Sequence, residues 1–203
     1  MEMTTKVTCK SDRPEMRFVW LDLETTGLDC AKHKILEVFC RVTDADLKPV
    51  GDGKGVGFVV RRTQEELDAS QPFSIEHFGA PGGLFGECLD SKISKPENEV
   101  EAGLVEYIKE HTQGPEYSYL SGRSVHFDRG FLNVSMPKVL ECMWHVHCDV
   151  SCVSLLTRAW NRALWNEIDA CRSPPATRFV VFFSFSFLEK KRSGTTRRRR
   201  YDP

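Results

Sequence analysis

The sequence predicts an α/β fold, a mixed five-stranded sheet flanked by helices, and three observations carry that expectation. Three apolar segments near the start are joined by short, turn-rich links. The middle of the chain then shifts to helical periodicity, and two later apolar segments each lead into a helical pattern. Strict alternation of strand and helix would point to a Rossmann-like sheet instead. That alternative is disfavoured because no Gly-x-Gly-x-x-Gly follows the first strand.

The first strand is the apolar run from Phe18, which delivers Asp22 and Glu24 and ends at a Thr25-Thr26-Gly27 turn. Lys34 to Val42 and Gly55 to Arg61 read as the second and third strands. Their links, Asp44 to Pro49 and Gly51 to Gly53, are short enough for an antiparallel meander. A helix is predicted over Glu97 to His111, with Val100, Leu104, Val105 and Ile108 on one face, starting after Pro96 and stopping before Gly114-Pro115. Tyr117 to Leu120 reads as a short buried strand that turns at Ser121-Gly122. Helices from about Phe127 to Asn133 and from Pro137 to about Met143 follow. Val146 to Val150 is the fifth strand, and Ser151 to Trp160 its helix, with Ser151 as the expected N-cap.

The chain has 203 residues, 40% of them hydrophobic and 28% charged. It is sized for one domain with a substantial core. The longest apolar stretch, Phe179 to Leu188, is half the length needed to cross a bilayer, so no membrane association is expected. The opening Met-Glu-Met-Thr-Thr-Lys has no apolar signal core and is not Arg-rich. A cytoplasmic location is expected, with mitochondrion and nucleus as alternatives. Eight cysteines without a Cys-x-x-Cys pair read as reduced thiols. His145, His147, Cys148 and Cys152 bring four zinc-ligand types together. No partner pair at zinc-site spacing exists elsewhere, so packing is the favoured reading over a zinc-stabilised module.

The net charge of −1 hides an asymmetry. Residues 189–203 hold seven Lys or Arg against two acids, leaving the rest of the chain at −6. An acidic body argues against non-specific grip on long nucleic acid and favours a short substrate held in a pocket.

In a strand, residues two apart share a face, so Asp22 and Glu24 converge on one side. Two carboxylates so placed repel and resist desolvation unless a divalent cation or a basic group lies between them, and hard oxygen ligands suit magnesium or manganese. Asp128 lies at the start of a helix following a short buried strand, where α/β folds build sites. Alone it would read as a helix-dipole partner. With Asp22 and Glu24 it supplies a third oxygen ligand.

Here the sequence resembles the DEDD exonucleases, and within them the oligoribonucleases. The matching words are Val-Trp-Leu-Asp22-Leu-Glu24-Thr-Thr-Gly-Leu28-Asp, Ile35-Leu-Glu37 and Glu76-His77-Phe-Gly79. Gly122-Arg-Ser124-Val-His-Phe-Asp128-Arg-Gly-Phe-Leu132, Met136-Pro137 and Asp149-Val-Ser151 follow in family order and spacing. The resemblance implies a ribonuclease H-like sheet and a 3′-to-5′ exoribonuclease acting on very short single-stranded RNA, from di- to pentanucleotides. It implies two Mg2+ or Mn2+ ions per site, with Asp22, Glu24 and Asp128 as catalytic ligands, and a homodimer. Leu28 matches an apolar wedge between the last two bases. Phe73 and Phe78 stand where the family has a Trp and a His lining the base pocket. Ser124 and Ser151 match hydroxyls that meet the substrate's 5′ phosphate, and His145 replaces a tyrosine that reaches the partner subunit's site.

The pattern breaks near the C-terminus. The family completes its site with His-x-x-x-x-Asp, supplying a general base and a fourth ligand, but no histidine follows His147. Asn161 to Thr177 is read as the family's Pro-containing loop, after which all similarity stops at residues 177–178. The organisation expected is therefore an N-terminal extension over 1–16, an exonuclease domain over 17–177, and a divergent, disordered tail over 178–203. Two functions stay open: an exoribonuclease impaired by the missing motif, or an inactive nuclease-fold protein that binds short RNA or a protein partner.

Overall fold

The computed structural model describes residues 15–170. A five-stranded sheet in the order β3-β2-β1-β4-β5 forms its centre, built from β1 (Arg17–Thr25), β2 (Ile35–Thr43), β3 (Val56–Val59), β4 (Ser118–Gly122) and β5 (His147–Asp149). β1 pairs antiparallel with β2, and β2 with β3, as the short turn-rich links dictate. β4 and β5 join parallel to β1 and to each other, each after a helical crossover. The mixed sheet with helices around it agrees with the fold class expected.

Alternation along β1 separates two faces. Val19, Leu21 and Leu23 are buried in the main core with Val38, Cys40 and Val42 of β2. Three helices close that core: α4 (Glu97–His111), α5 (Val125–Ser135) and α6 (Pro137–Glu141) contribute Leu104, Ile108, Phe131, Leu132 and Val139. The bounds of α4 coincide with the expected ones, because Pro96 stands at its N-cap with extended ψ and Gly114 with Pro115 ends the run. α5 begins two residues earlier and ends two later than its apolar pattern suggested, with Asp128 in its first turn.

Three short helices that the apolar pattern did not signal connect β3 to α4: α1 (Gln64–Asp68), α2 (Pro72–Phe78) and α3 (Leu84–Leu89). A capping box fixes the start of α1, in which Thr63 and Glu66 satisfy each other's backbone N–H. Leu67, Leu84 and Cys88 pack with Leu36 into a second, smaller core. Buried Arg62 donates through Nε to the Ile35 carbonyl (2.8 Å) and pairs with Glu97, tying β2 to the head of α4.

After β5 come α7 (Val150–Trp160) and α8 (Arg162–Ala170). Two expectations are corrected here. The N-cap of α7 is Asp149, whose carboxylate accepts from the Ser151 N–H (2.8 Å); Ser151 lies inside the helix. Asn161 to Ala170 is not loop, because Asn161 Oδ1 accepts the Leu164 N–H (3.0 Å) and so starts a second helix. Neither α7 nor the described part of α8 buries a residue, and Trp160 is 79% exposed. No described helix is long and apolar enough to cross a membrane. The proposed boundary at 177–178, the divergent tail and most of the N-terminal extension lie outside the described residues.

Candidate active site

β1 and β4 run together only from Arg17 to Trp20, after which β4 turns away at Gly122. A side chain at Gly122 would come within 3.1 Å of the Leu21 carbonyl, so the absence of a Cβ eases the close approach of the two strands here. Past the point of separation, the Leu23 N–H is donated to Asp128 Oδ1 (3.1 Å) in place of a strand partner. Leu23 follows Asp22 directly, so this bond anchors Asp128 beside that acid.

The electrostatics follow from that crowding. Asp128 is 5% exposed, and burial, followed by the neighbouring Asp22 carboxylate, pushes its carboxyl up to about 7. The Leu23 hydrogen bond partly offsets both. Asp22 keeps solvent access, yet desolvation still holds its carboxyl above the ordinary value. Such a pair is held apart in energy until a cation or proton enters, and the donor set of hard carboxylate oxygens fits a divalent cation of the magnesium class. Among the described residues no three His, Cys, Asp or Glu side chains are gathered into a ready-made nest for a metal. Glu24, half-buried on the same strand face, lies opposite Glu37 of β2.

The Thr-Thr-Gly turn is fastened from both sides. Thr26 exchanges hydrogen bonds with Lys34 at the entry to β2, accepting at Oγ1 and donating its N–H. On the other side, Gln71 donates to the Thr26 carbonyl and buried Ser74 to the Thr25 carbonyl (3.1 Å), which locks α2 against the turn. Three apolar side chains remain at the surface of this unit, Leu28 at 71%, Phe73 at 68% and Ile75 at 45% exposed. Phe73 stacks on His77, their ring centroids 5.3 Å apart and their planes 16° from parallel. Phe78 instead packs into the smaller core against Phe85.

A third group forms where α5 and α7 begin. Asp149 Oδ1 accepts from the backbone of both Ser124 (3.0 Å) and Ser151 (2.8 Å), joining the two helix starts. Burial raises its carboxyl, but those N–H groups outweigh burial and leave it below the ordinary range. The Ser124 N–H is also donated to Ser151 Oγ (3.0 Å), and the two hydroxyls stand 3.3 Å apart. Ser124 adopts the left-handed conformation (φ 54°), one of two described non-glycine residues that do so. Such backbone strain persists only where the surroundings over-determine it. His126 Nδ1 lies 3.8 Å from Asp149 Oδ2. His145 is at the surface, its ring centroid 4.6 Å from that of Trp144.

The structure thus brings together Asp22 and Asp128 around Leu23, and Ser124 with Ser151. Leu28 and Phe73 are exposed on the unit fastened to the end of β1. Sequence reasoning missed Asp149 and His126 as neighbours. An Asp at the start of a helical pattern was the available signal for the first, whereas the pairing with His126 arises only when β4 and β5 align.

The comparisons agree with this architecture. The family model described as "Exonuclease" matches residues 19–171. A probable oligoribonuclease of Dictyostelium discoideum is 39% identical over 144 residues, covering 71% of this chain and 73% of that protein. An oligoribonuclease of Corynebacterium glutamicum is 36% identical and the mitochondrial oligoribonuclease of Homo sapiens 35%, each over 71% of this chain. Of those two longer proteins the chain spans only 64% and 58%. Among solved structures, exonuclease I of Methylocaldum szegediense superposes with a TM-score of 0.57 at 20% identity, over 73% of this chain and 30% of that one. A zinc-bound E. coli ExoI–ssDNA complex gives 0.58 at 16% identity, over 73% and 31%. The fold, the matched span and the identities together place the chain in the exonuclease family, among the oligoribonucleases.

Proposed function

We propose that this chain is a 3′-to-5′ exoribonuclease that degrades short single-stranded oligoribonucleotides to mononucleotides. The observation that carries the reading is the anchoring of Asp128 beside Asp22 through the Leu23 N–H, which holds two mutually repelling carboxylates at the end of the central strand. In this reading Asp22, Glu24 and Asp128 hold two Mg2+ or Mn2+ ions. When bound, such ions lower the pKa of water and stabilise charge on the departing oxygen. The chain's own residues do the rest. Leu28 and Phe73 grip the terminal bases, since an exposed ring is available for stacking, with Phe78 bracing that wall. Ser124 and Ser151 offer hydroxyls to a phosphate, and Asp149 fixes the two helix starts that carry them. The acidic body suits a substrate with few phosphates. A homodimer, with His145 directed toward the partner's site, agrees with the exposed apolar side chains of α7.

The test is hydrolysis of a 5′-labelled diribonucleotide with manganese, beside an Asp22→Ala control. Cleavage that vanishes in the control supports the reading. A second reading, a nuclease-fold protein that binds short RNA without cleaving it, is favoured by one observation: no histidine follows His147 to serve as general base. Binding without cleavage would select it.

A further inference from the structure

The sheet face turned away from the main core is the one on which Asp22 stands, and the residues before it on that face are aromatic. Period-two alternation puts Phe18 and Trp20 on the same side of β1 as Asp22 and Glu24. Phe18 lies 6.0 Å from Trp20 and 6.5 Å from Tyr119 of β4, centroid to centroid, and all three rings are part-exposed. Arg41 stands directly across from Trp20 in the pairing of β1 with β2, and so shares this face. Its guanidinium lies 5.5 Å from the centre of the Phe39 ring. The Lys54 carbonyl accepts from it (3.3 Å), its Nε is buried without a hydrogen-bond partner, and no described carboxylate pairs with it. An open, apolar groove continues the face from Phe18 and Tyr119 past Val146 and Cys148 to Val153. Asp149, which fastens the Ser124 and Ser151 helix starts, lines the same groove.

We propose, resting on the exoribonuclease reading above, that this face is the track for the 5′ part of a single-stranded RNA longer than two nucleotides, whose 3′ end lies at Asp22 and Asp128. Three features favour this occupant. The first is continuity: the rings share one strand face with the acids, and the groove shares Asp149 with the hydroxyl pair, so a strand leaving the site meets both. The second is length. Phe18 and Asp22 are about 13 Å apart along the strand at roughly 3.3 Å per residue, several times the roughly 3.4 Å step between stacked nucleotides. The third is chemistry. Single strands are held by aromatic faces, on which any base stacks, and by cations that meet the phosphates. A purely apolar partner would cover the Arg41 guanidinium without supplying an anion, whereas a phosphate supplies one. Stacking also needs no broad basic surface, which suits a molecule whose body is net acidic.

The experiment titrates the full chain calorimetrically with diadenylate and with pentaadenylate, in chelator so that neither is hydrolysed. Pentaadenylate should bind at least about fivefold more tightly, the least that one stacked base contributes. Phe18→Ala/Tyr119→Ala and, separately, Arg41→Gln should each narrow that ratio. Equal affinities, a ratio that neither variant changes, or no binding of either oligonucleotide would overturn the track. The exoribonuclease reading falls only on the hydrolysis test given above, so the two failures are separable. A second arm needs no variant: hydroxyl-radical oxidation of the parent, in which pentaadenylate should protect Phe18, Trp20 and Tyr119 severalfold and diadenylate should not, with Trp144, outside the groove, as reference. Rings already protected before RNA is added would mean that protein covers the face, and rings left reactive by bound pentaadenylate would refute the assignment equally.

Discussion

Replacing Asp128 with Asn removes the charge but keeps an oxygen for the Leu23 N–H. A carboxyl with an ordinary value of 3.8 that rises to about 7 on folding holds its proton more tightly in the native state. Between those values the folded chain binds a proton that the unfolded chain has released, so native stability falls as pH rises through the window. Above about pH 7 the ionised Asp128 costs the native state on the order of 4 kcal/mol, at about 1.4 kcal/mol per decade. Urea unfolding with a chelator present should therefore find Asp128→Asn more stable than the parent by up to about 4 kcal/mol near pH 8. Near pH 5 that advantage should shrink by roughly 2 to 3 kcal/mol, because the parent is then largely protonated. A variant less stable near pH 8, or an advantage equal at both pH values, would refute the account of Asp128 as a buried acid crowded by Asp22.

Other outcomes follow from the same geometry. Adding Mn2+ or Mg2+ near pH 8 should raise the melting temperature of the parent but not of Asp22→Ala/Asp128→Asn, by the linkage of ligand binding to folding; calorimetry with and without metal checks this. Phe73→Ala should weaken dinucleotide binding by about 1 to 3 kcal/mol with little effect on unfolding, since its ring is exposed, and titration calorimetry separates the two. Asp149→Ala strips one carboxylate from two helix starts and should cost about 1 to 3 kcal/mol of stability in chemical denaturation. Gly122→Val should lower soluble yield and melting temperature sharply, as its Cβ alone meets the Leu21 carbonyl at 3.1 Å.

The mixed sheet, the antiparallel meander of its first three strands, and the position of Asp22 and Glu24 on the first strand were readable because period-two burial and turn residues leave direct marks in sequence. α4 was readable to the residue, since Pro96 and Gly114 punctuate a clear apolar stripe. α1 to α3 were not, being too short for periodicity to build up, although Thr63 and Glu66 do spell a capping box. α8 was hidden by Pro174-Pro175, which drew the reading toward loop, while Asn161 with Leu164 and Ile168 at helical spacing was the signal overlooked. The contact of Asp128 with Leu23 and of His126 with Asp149 had no local trace. Both exist only because strands distant in sequence become neighbours in the sheet.

The Asp128–Leu23 hydrogen bond spans 105 residues of sequence. During synthesis, a chain that has emerged through β1 to β3 carries Asp22 and Glu24 on an antiparallel hairpin but has no third acid to set beside them. The juxtaposition of Asp22 and Asp128 cannot exist until β4 and α5 have left the ribosome and closed one of the longest loops in the fold, a step that contact order makes slow. In the function proposed above, a cation or nucleotide that needs Asp128 beside Asp22 finds that pair only in the completed sheet, and ligand binding becomes a report on global folding rather than on the local state of the first strand.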